Sequence, residues 1–184
     1  GILGEEHGSK DGASSVKFII DPIDGTFNFV RGIPFFGSLF AIESDGEVVL
    51  GAVTCPRLQE RWVGVKGQGC FYSKQKNDKQ RCSVSQINIL SESQVFHGSL
   101  YGSEAEELSQ ESLLSLLKKT KRQRGFGDIY SHMLVAMGCG EFALDVGVKP
   151  WDIAPIKVIV EEAGGIVTDI HGQNTIYSGS IISS

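Results

Sequence analysis

Two aspartates three positions apart lie at the end of an apolar stretch, where the sequence DPIDGT begins at Asp21. Pro22 fixes its own backbone φ, so Asp21 and Asp24 can be held facing the same point. Carboxylate oxygens suit Mg²⁺, which binds one or two of them together with water and substrate phosphate. Gly25 and Thr26 open a short helical segment whose free N–H groups can bind an anion. Phosphoryl chemistry requires this combination, although Asp-Pro and Asp-Gly are also common in ordinary turns.

Two further acidic segments each have an ordinary interpretation. Asp152 belongs to the sequence WDIAP at the start of a predicted helix, where it can be the N-cap, with Pro155 tolerated in the first turn. Glu5 belongs to the sequence GEE, which precedes the strand that leads to Asp21 and can be a solvated loop. Taken singly, neither segment indicates a metal site.

Hydrophobic patterning predicts the elements that must position these residues. An apolar, β-branched run over 16–20 predicts a buried strand that ends at Asp21, and the stretches 35–43 and 47–55 predict a hairpin around Asp45-Gly46. The remaining predicted elements are strands over 61–65, 69–73, 141–146 and 166–170, a polar surface loop over 74–86, and helices over 103–119, 130–137 and 153–163. Strands mixed with helices, without a regular βαβ alternation, favour an α+β or a layered α/β/α fold.

The composition excludes several classes of protein. Of the 184 residues, 41% are hydrophobic and 21% charged, which fits a globular protein with a buried core and excludes disorder, coiled coil and collagen. No apolar run approaches the roughly 20 residues that span a bilayer. The net charge of −5 argues against nucleic acid and an anionic membrane surface as partners. The four cysteines have neither zinc-site nor disulfide spacing and indicate free thiols in a reducing cytoplasm.

Both ends of the chain have the character of internal sequence. The chain starts at Gly1 instead of Met and ends in an apolar stretch that is typical of a strand. No internal repeat or low-complexity segment divides it. We therefore expect residues 1–184 to be a single domain of a longer protein, cut at both ends.

Together, the three acidic segments resemble the inositol monophosphatase family of magnesium-dependent, lithium-sensitive phosphatases. The motifs GEE, DPIDGT and WDIAP, the last followed by EEAGG, occur in the family's order and at compatible spacing from Gly4 to the final strand. The resemblance implies an α/β fold, a layered α/β/α/β/α sandwich of the inositol monophosphatase and fructose-1,6-bisphosphatase type, with the N-terminal helices and the extreme C-terminus outside this chain. It also implies a homodimer, two or three Mg²⁺ ions as cofactor, Mn²⁺ as a substitute and inhibition by Li⁺.

The resemblance carries the metal-binding roles over position by position. It implies that Glu5 and Asp21 bind a first ion together with the Ile23 carbonyl. It implies that Asp21, Asp24 and Asp152 bind a second, so that Asp21 bridges the two ions. Glu5 is also implied to reach a third, more loosely held ion.

The remaining roles of the family concern the phosphate and the attacking water. The amides of Gly25 and Thr26 are implied to hold the phosphate, and the Thr26 hydroxyl to help activate the water, so the implied catalytic residues are Glu5, Asp21 and Thr26. Two ions about 3.5–4 Å apart lower the pKa of a bound water and neutralise the attacking and leaving oxygens, so no covalent phosphoenzyme is needed. In the family an upstream aspartate pairs with the threonine, and it would precede Gly1.

The alcohol side of the site decides which ester is cleaved. Family members act on inositol phosphates, histidinol phosphate, fructose bisphosphate or phosphoadenosine phosphate. The sequence GDIY around Asp128, with QERW at 59–62 and VKPWD at 148–152, resembles the histidinol-phosphatase branch. A carboxylate at Asp128 suits a cationic amino or imidazole group, and Asp145 falls where the family contacts the alcohol. Asp128 and Asp145 are therefore expected to bind substrate, with histidinol phosphate, and hence histidine biosynthesis, favoured.

Several alternatives remain open at this stage. The sequence FNFV at 27–30 resembles the inositol branch, so inositol 1-phosphate is the alternative substrate, and Asp128 can be a simple cap of the second helix. Some family members are regulatory binding proteins, but a scaffold has no reason to keep four carboxylates focused on one point. A nucleotidase would need basic residues where Asp128 and Asp145 stand.

The expected partners follow from the same features. We expect a small phosphorylated substrate in a cytoplasmic protein, and neither nucleic acid nor membrane. The basic run over 118–124 is interpreted as the solvated end of a helix. The four histidines have no ligand spacing, so none is nominated as a metal ligand.

Overall fold

The computed structural model describes residues 1–6, 8–74, 78–98 and 110–184, whose larger sheet contains eight strands. The strands are β1 (Ile2–Gly4), β2 (Gly8–Lys10), β3 (Val16–Asp24), β4 (Gly37–Ser44), β5 (Glu47–Cys55), β6 (Glu60–Val65), β7 (Gly69–Lys74) and β8 (Lys79–Arg81). Their order in the sheet is β2-β1-β3-β4-β5-β6-β7-β8. Strands β1 and β3 run parallel, and the other neighbours run antiparallel.

The second sheet contains five strands, in the order β10-β9-β11-β13-β12. They are β9 (Gln94–His97), β10 (Arg122–Arg124), β11 (Phe142–Val146), β12 (Val167–Thr168) and β13 (Ser180–Ser183). The helices are α1 (Thr26–Arg31), α2 (Gln110–Leu117), α3 (Asp128–Ala136) and α4 (Pro150–Glu162), with a 3₁₀ turn over Leu90–Glu92. No helix in the described ranges is long and apolar enough to cross a membrane.

Helix α4 lies flat against the large sheet because two glycines leave room for its backbone. A Cβ atom at Gly51 of β5 would lie 2.5 Å from the Pro155 carbonyl oxygen, and one at Gly64 of β6 would lie 2.9 Å from the Ile159 Cα. Real Cβ atoms do not come so close, so only glycine allows this approach. The buried face of α4 joins the main hydrophobic core there.

The small sheet buries both of its faces, as the alternation of side chains along a strand allows. Val95 of β9 packs in one apolar cluster with Leu113 and Leu117 of α2. Its neighbour Phe96 packs in another with Val135 of α3. The described part of the chain therefore contains four consecutive layers, β/α/β/α, of the predicted α/β/α/β/α sandwich.

The predicted hairpin is confirmed. Asp45 and Gly46 connect β4 to β5 with φ values of 54° and 82°, the backbone signs of a type I′ turn, whose twist matches that of the flanking strands. The strands predicted at 61–65, 69–73 and 141–146 are also present within one residue of their predicted bounds.

Some predicted bounds are wrong. Strand β3 continues through the DPID turn to Asp24, the loop predicted over 74–86 contains β8, and the strand predicted over 166–170 is reduced to Val167–Thr168. The basic run is divided: Lys118 and Lys119 are exposed at the end of α2, as predicted, whereas Arg122–Arg124 form the edge strand β10. The helix predicted over 103–119 is confirmed over Gln110–Leu117, and residues 103–109 lie outside the described residues.

Candidate active site

Three aspartates converge at one point between the large sheet and α4. Asp21 and Asp24 lie at the end of β3, and Asp152 is the third residue of α4. Each has a carboxylate oxygen within 4.8 Å of the others, and Asp21 is 1% exposed. The structure therefore brings together the DPIDGT and WDIAP motifs, which are about 130 positions apart in the sequence.

A bulge in β3 turns both aspartates of the DPID turn to the same side. Along the pairing with β4, Asp21 is opposite Leu39 and Asp24 is opposite Gly37, so β3 advances three residues while β4 advances two. Residues three apart in a regular strand point to opposite faces, and the extra residue restores the same face. The Ile23 N–H donates to the Asp21 Oδ1 over 2.9 Å and closes this turn.

Asp24 and Asp152 also accept hydrogen bonds from the starts of two helices. The Ile129 N–H in the first turn of α3 donates to the Asp24 Oδ2 over 3.0 Å, and the Lys149 N–H before α4 donates to the Asp152 Oδ2 over 2.7 Å. The helix dipoles favour negative charge at these positions. The interpretation of Asp152 as an N-cap is wrong, because Lys149 is the N-cap and Pro150 the first helical residue, which also places Pro155 beyond the first turn.

Burial is the largest cause that raises the pKa values of all three carboxylates. Burial, with smaller contributions from Glu5 and Asp152, raises the pKa of Asp21 to about 7. Burial is also the main cause that raises the pKa of Asp24, and it raises that of Asp152 to about 6. Buried like charges at such spacing need a cation to be stable in the ionised form. The all-oxygen donor set fits a hard divalent ion such as Mg²⁺.

The other residues expected at the metal and phosphate sites lie beside this cluster. Glu5 follows β1, and its carboxylate lies against Asp21 but outside the three-aspartate cluster. The Thr26 hydroxyl donates to the Ile23 carbonyl over 3.0 Å. Gly25 caps α1 with a φ of 75°, and Thr26 is its first helical residue. The phosphate site expected from the sequence therefore begins one residue beyond Asp24.

A cavity of about 210 Å³ extends from Asp24 and Asp152 of the three-aspartate cluster toward α3 and β11. Its acidic lining residues are Asp24, Asp128, Asp145 and Asp152, and His132 lines it as well. The structure thus places both residues expected to bind the alcohol, Asp128 and Asp145, in one cavity with two of the metal-site aspartates.

Asp128 does not cap its helix. Helix α3 has Gly127 as its N-cap, without a side-chain hydrogen bond, and the Asp128 Oδ2 accepts a hydrogen bond from the Asn28 Nδ2 over 2.9 Å. The cap interpretation of Asp128 is therefore wrong. Burial, and then the charge of Asp145, raises the pKa of Asp128 to about 6.

Two residues that support the site were given no role from the sequence: His132 lines the cavity, and Glu60 lies outside its lining. His132 is 1% exposed and lies 3.0 Å from the Asp145 Oδ2 through its Nε2. Its position four residues after Asp128 on α3 puts both on one helix face, a signal that the search for metal-ligand spacing overlooked. Glu60, from the sequence QERW, accepts hydrogen bonds from the hydroxyls of Tyr72 and Tyr130 over 3.0 and 3.2 Å and so fixes the start of α3 to the large sheet.

Known proteins of similar sequence include phosphatases. The histidinol-phosphatase of Mycobacterium tuberculosis is 38% identical over 184 residues, which are the whole of this chain and 70% of that protein. The fructose-1,6-bisphosphatase/inositol-1-monophosphatase of Thermotoga maritima is 35% identical over 173 residues, which are 90% of this chain and 64% of that protein.

Solved structures and the family profile agree with these relatives. The extragenic suppressor protein suhB from Bartonella henselae superposes with a TM-score of 0.89 at 33% identity, over the whole of this chain and 70% of that chain. The fold is therefore α/β and of the type that the sequence resemblance implies. The profile of the inositol monophosphatase family matches residues 1–184, and the chain accordingly belongs to the inositol monophosphatase family.

Proposed function

We propose that this protein is a magnesium-dependent phosphomonoesterase that hydrolyses a small phosphorylated alcohol. The observation that carries the proposal is the convergence of Asp21, Asp24 and Asp152 within 4.8 Å beside the start of α1. A bound divalent cation supplies a water of lowered pKa and neutralises the charge that develops on the phosphate oxygens. A non-catalytic regulatory role is less well supported, because such a role does not require buried, mutually repelling carboxylates.

The chain's own residues divide the work of the reaction. Asp21, Asp24 and Asp152 would hold the metal, and Glu5 and the Ile23 carbonyl are proposed as additional ligands on the Asp21 side. The backbone amides of Gly25 and Thr26 would bind the phosphate. The Thr26 hydroxyl, which already donates to the Ile23 carbonyl, would orient the attacking water.

We propose histidinol phosphate as the substrate. Asp128 and Asp145 add two carboxylates to the cavity beyond the metal cluster, and a carboxylate pair suits a cationic amino or imidazole group. The 38% identity to a histidinol-phosphatase over the whole chain supports this choice. Inositol 1-phosphate is the second candidate, because the Thermotoga maritima relative is named an inositol-1-monophosphatase at 35% identity.

Phosphate release by the full-length protein tests the proposal. With Mg²⁺ present, we expect a kcat/KM for histidinol phosphate at least about 100-fold above that for inositol 1-phosphate, or about 2.7 kcal/mol of transition-state discrimination. Chelation of Mg²⁺ or addition of Li⁺ should suppress both reactions. A preference for inositol 1-phosphate would contradict the proposed substrate but not the proposed metal site. No phosphate release from either ester with Mg²⁺ would refute the proposal that the protein is an enzyme.

Other assignments remain predictions from the sequence. They are the homodimer, the cytoplasmic location, the number of ions in turnover, Mn²⁺ as a substitute, and the lack of nucleic-acid and membrane partners. All four cysteines are free, and Cys55, Cys70 and Cys82 are buried, which supports a reducing compartment.

A further inference from the structure

A buried chain of three polar side chains connects β13, α3 and β11. The imidazole of His132 lies between the Ser183 Oγ, 2.7 Å from its Nδ1, and the Asp145 Oδ2, 3.0 Å from its Nε2. Ser183 is 0% and His132 1% exposed, and the Asp145 side chain, at 11%, opens into the cavity. A buried serine cannot reach a substrate, so this chain is not a nucleophilic triad despite its composition.

The direction of the hydrogen bonds follows from the groups themselves. An ionised carboxylate only accepts hydrogen bonds, so the His132 Nε2 must carry the proton that it shares with Asp145. A serine hydroxyl can donate, so Ser183 can satisfy the Nδ1 of a neutral imidazole. In this arrangement, the Asp145 carboxylate determines the tautomer, and Ser183 satisfies the other ring nitrogen and holds the ring in place.

The second oxygen of Asp145 packs against Gly98. A Cβ atom at Gly98 would overlap the Asp145 Oδ1, so the carboxylate rests directly on the Gly98 backbone. Held between His132 and Gly98, the Asp145 carboxylate has one orientation. An oriented charge binds a cation more tightly than a mobile one, because less conformational entropy is lost on binding.

We propose that His132, oriented by Ser183, is a positioning residue that fixes the Asp145 carboxylate toward the alcohol of the substrate and so determines the enzyme's affinity for it. The inference rests on the proposed function, since it assigns the alcohol subsite of that same reaction. His132 acts through Asp145 and does not touch the reacting phosphate.

A double-mutant cycle in the full-length protein tests whether His132 acts through Asp145. The variants are His132→Leu, Asp145→Ala and both together, and KM and kcat are measured with Mg²⁺ for the ester that the wild type hydrolyses best. We expect His132→Leu to raise KM about tenfold with kcat within threefold of wild type. In the Asp145→Ala background, the same change should alter KM by less than twofold.

Two further variants separate positioning from loss of fold. His132→Gln keeps an N–H donor near the Nε2 position and should restore KM to within threefold of wild type. Tyr177→Phe removes a hydroxyl that donates to Glu43 elsewhere in the molecule and should leave KM unchanged. Thermal unfolding of each variant shows that the fold is retained.

The inference is overturned if the effects of His132→Leu and Asp145→Ala multiply, if kcat falls with KM unchanged, or if His132→Gln is as impaired as His132→Leu. The proposed substrate fails separately, when the wild type does not prefer histidinol phosphate. KM and kcat of the variants are then measured with the ester that the wild type prefers, and the cycle still tests the role of His132.

Discussion

Asp21 lies where its own charge destabilises the metal-free protein. It is 1% exposed, and its neighbours Glu5 and Asp152 are also acidic. Its pKa is raised to about 7 in the folded protein from the usual 3.8. Ionisation of Asp21 therefore destabilises the folded protein once the pH rises above the pKa of the carboxyl in the unfolded chain. A bound cation would reverse this effect, which couples metal binding to stability.

Asp21→Asn should therefore separate stability from activity. At pH 8 in a chelator, we expect the variant to unfold at a temperature several degrees above wild type, because a repelled charge has been removed. Phosphate release should fall about 10³-fold or more, and Mg²⁺ should no longer raise the unfolding temperature. Asp45→Asn, the same change in an exposed turn, is the control and should alter neither property. A variant stabilised by Mg²⁺ as strongly as wild type would contradict the metal assignment.

Asp128 predicts a pH dependence of stability with a defined sign. In the folded protein, its pKa of about 6 lies above the usual 3.8, mainly because of burial and then because of Asp145. The protonated form of Asp128 therefore favours folding, and its contribution to the free energy of unfolding decreases as the pH rises from about 4 to 6. Asp128→Asn should stabilise the protein at pH 8 and lose this advantage toward pH 4. Solvent screening limits the gain to about 1 kcal/mol or less.

Asparagine suits this position for a further reason. The φ of Asp128 is 49°, a left-handed value that asparagine tolerates well, and an asparagine oxygen can still accept from Asn28. Urea unfolding at both pH values, in a chelator, measures the difference. An equal effect at pH 4 and pH 8 would show that the charge of Asp128 does not contribute to stability.

At the scale of the elements, the contact between α4 and the large sheet controls where Asp152 lies. Gly51→Ala would place a Cβ atom 2.5 Å from the Pro155 carbonyl oxygen, and such overpacking typically costs about 1–3 kcal/mol. We expect the free energy of unfolding to fall by this amount. Phosphate release should also fall, because a shift of α4 moves Asp152. Gly179→Ala is the matched control, since its Cβ would have no neighbour within 4 Å. Equal effects of the two substitutions would refute the close contact.

The starts of elements were predicted less well than their existence. Helix α4 begins at Pro150, and proline at the first helical position is a known start signal that the apolar pattern beginning at Ile153 obscured. Strand β10, with the sequence RQR, has no apolar pattern because an edge strand is partly solvated. The bulge in β3 needed knowledge of its partner β4, which periodicity within one segment does not supply.

At the scale of the whole molecule, a partly exposed ionic cluster around the buried Glu43 ties the loop before β13 to the large sheet. The Tyr177 hydroxyl donates to Glu43 over 2.9 Å, and the Lys17 ammonium lies 2.8 Å from the same carboxylate. Tyr177→Phe should lower the free energy of unfolding by about 1–2 kcal/mol and leave kcat and KM unchanged. Urea titration checks the first effect and steady-state kinetics the second. An unchanged stability would show that the Lys17–Glu43 pair suffices.

The sequence predicts which aspartates form the site better than it predicts the distant residues that hydrogen-bond to the site. Asp21, Asp24 and Asp152 stand out because each belongs to a short motif, and their convergence is confirmed. The bond from Ile129 to Asp24 joins residues 105 positions apart, and that from His132 to Ser183 joins residues 51 apart. Spacing along one segment carries no information about such partners, because they are set by how the two sheets stack.

The carboxylates of the candidate site come from separate parts of the molecule, and this division bears on how its specificity can diverge. Asp21 and Asp24 belong to the large sheet, whereas Asp145 belongs to the small one. Under the proposed function, substitutions on β11 and on the α3 face should change the alcohol that is accepted and leave the metal-binding aspartates of the large sheet intact. The start of α3 itself is not free to move, because it donates to Asp24. Under the same proposal, a search for a new substrate specificity should vary Asp128, His132 and Asp145 together and keep that backbone fixed.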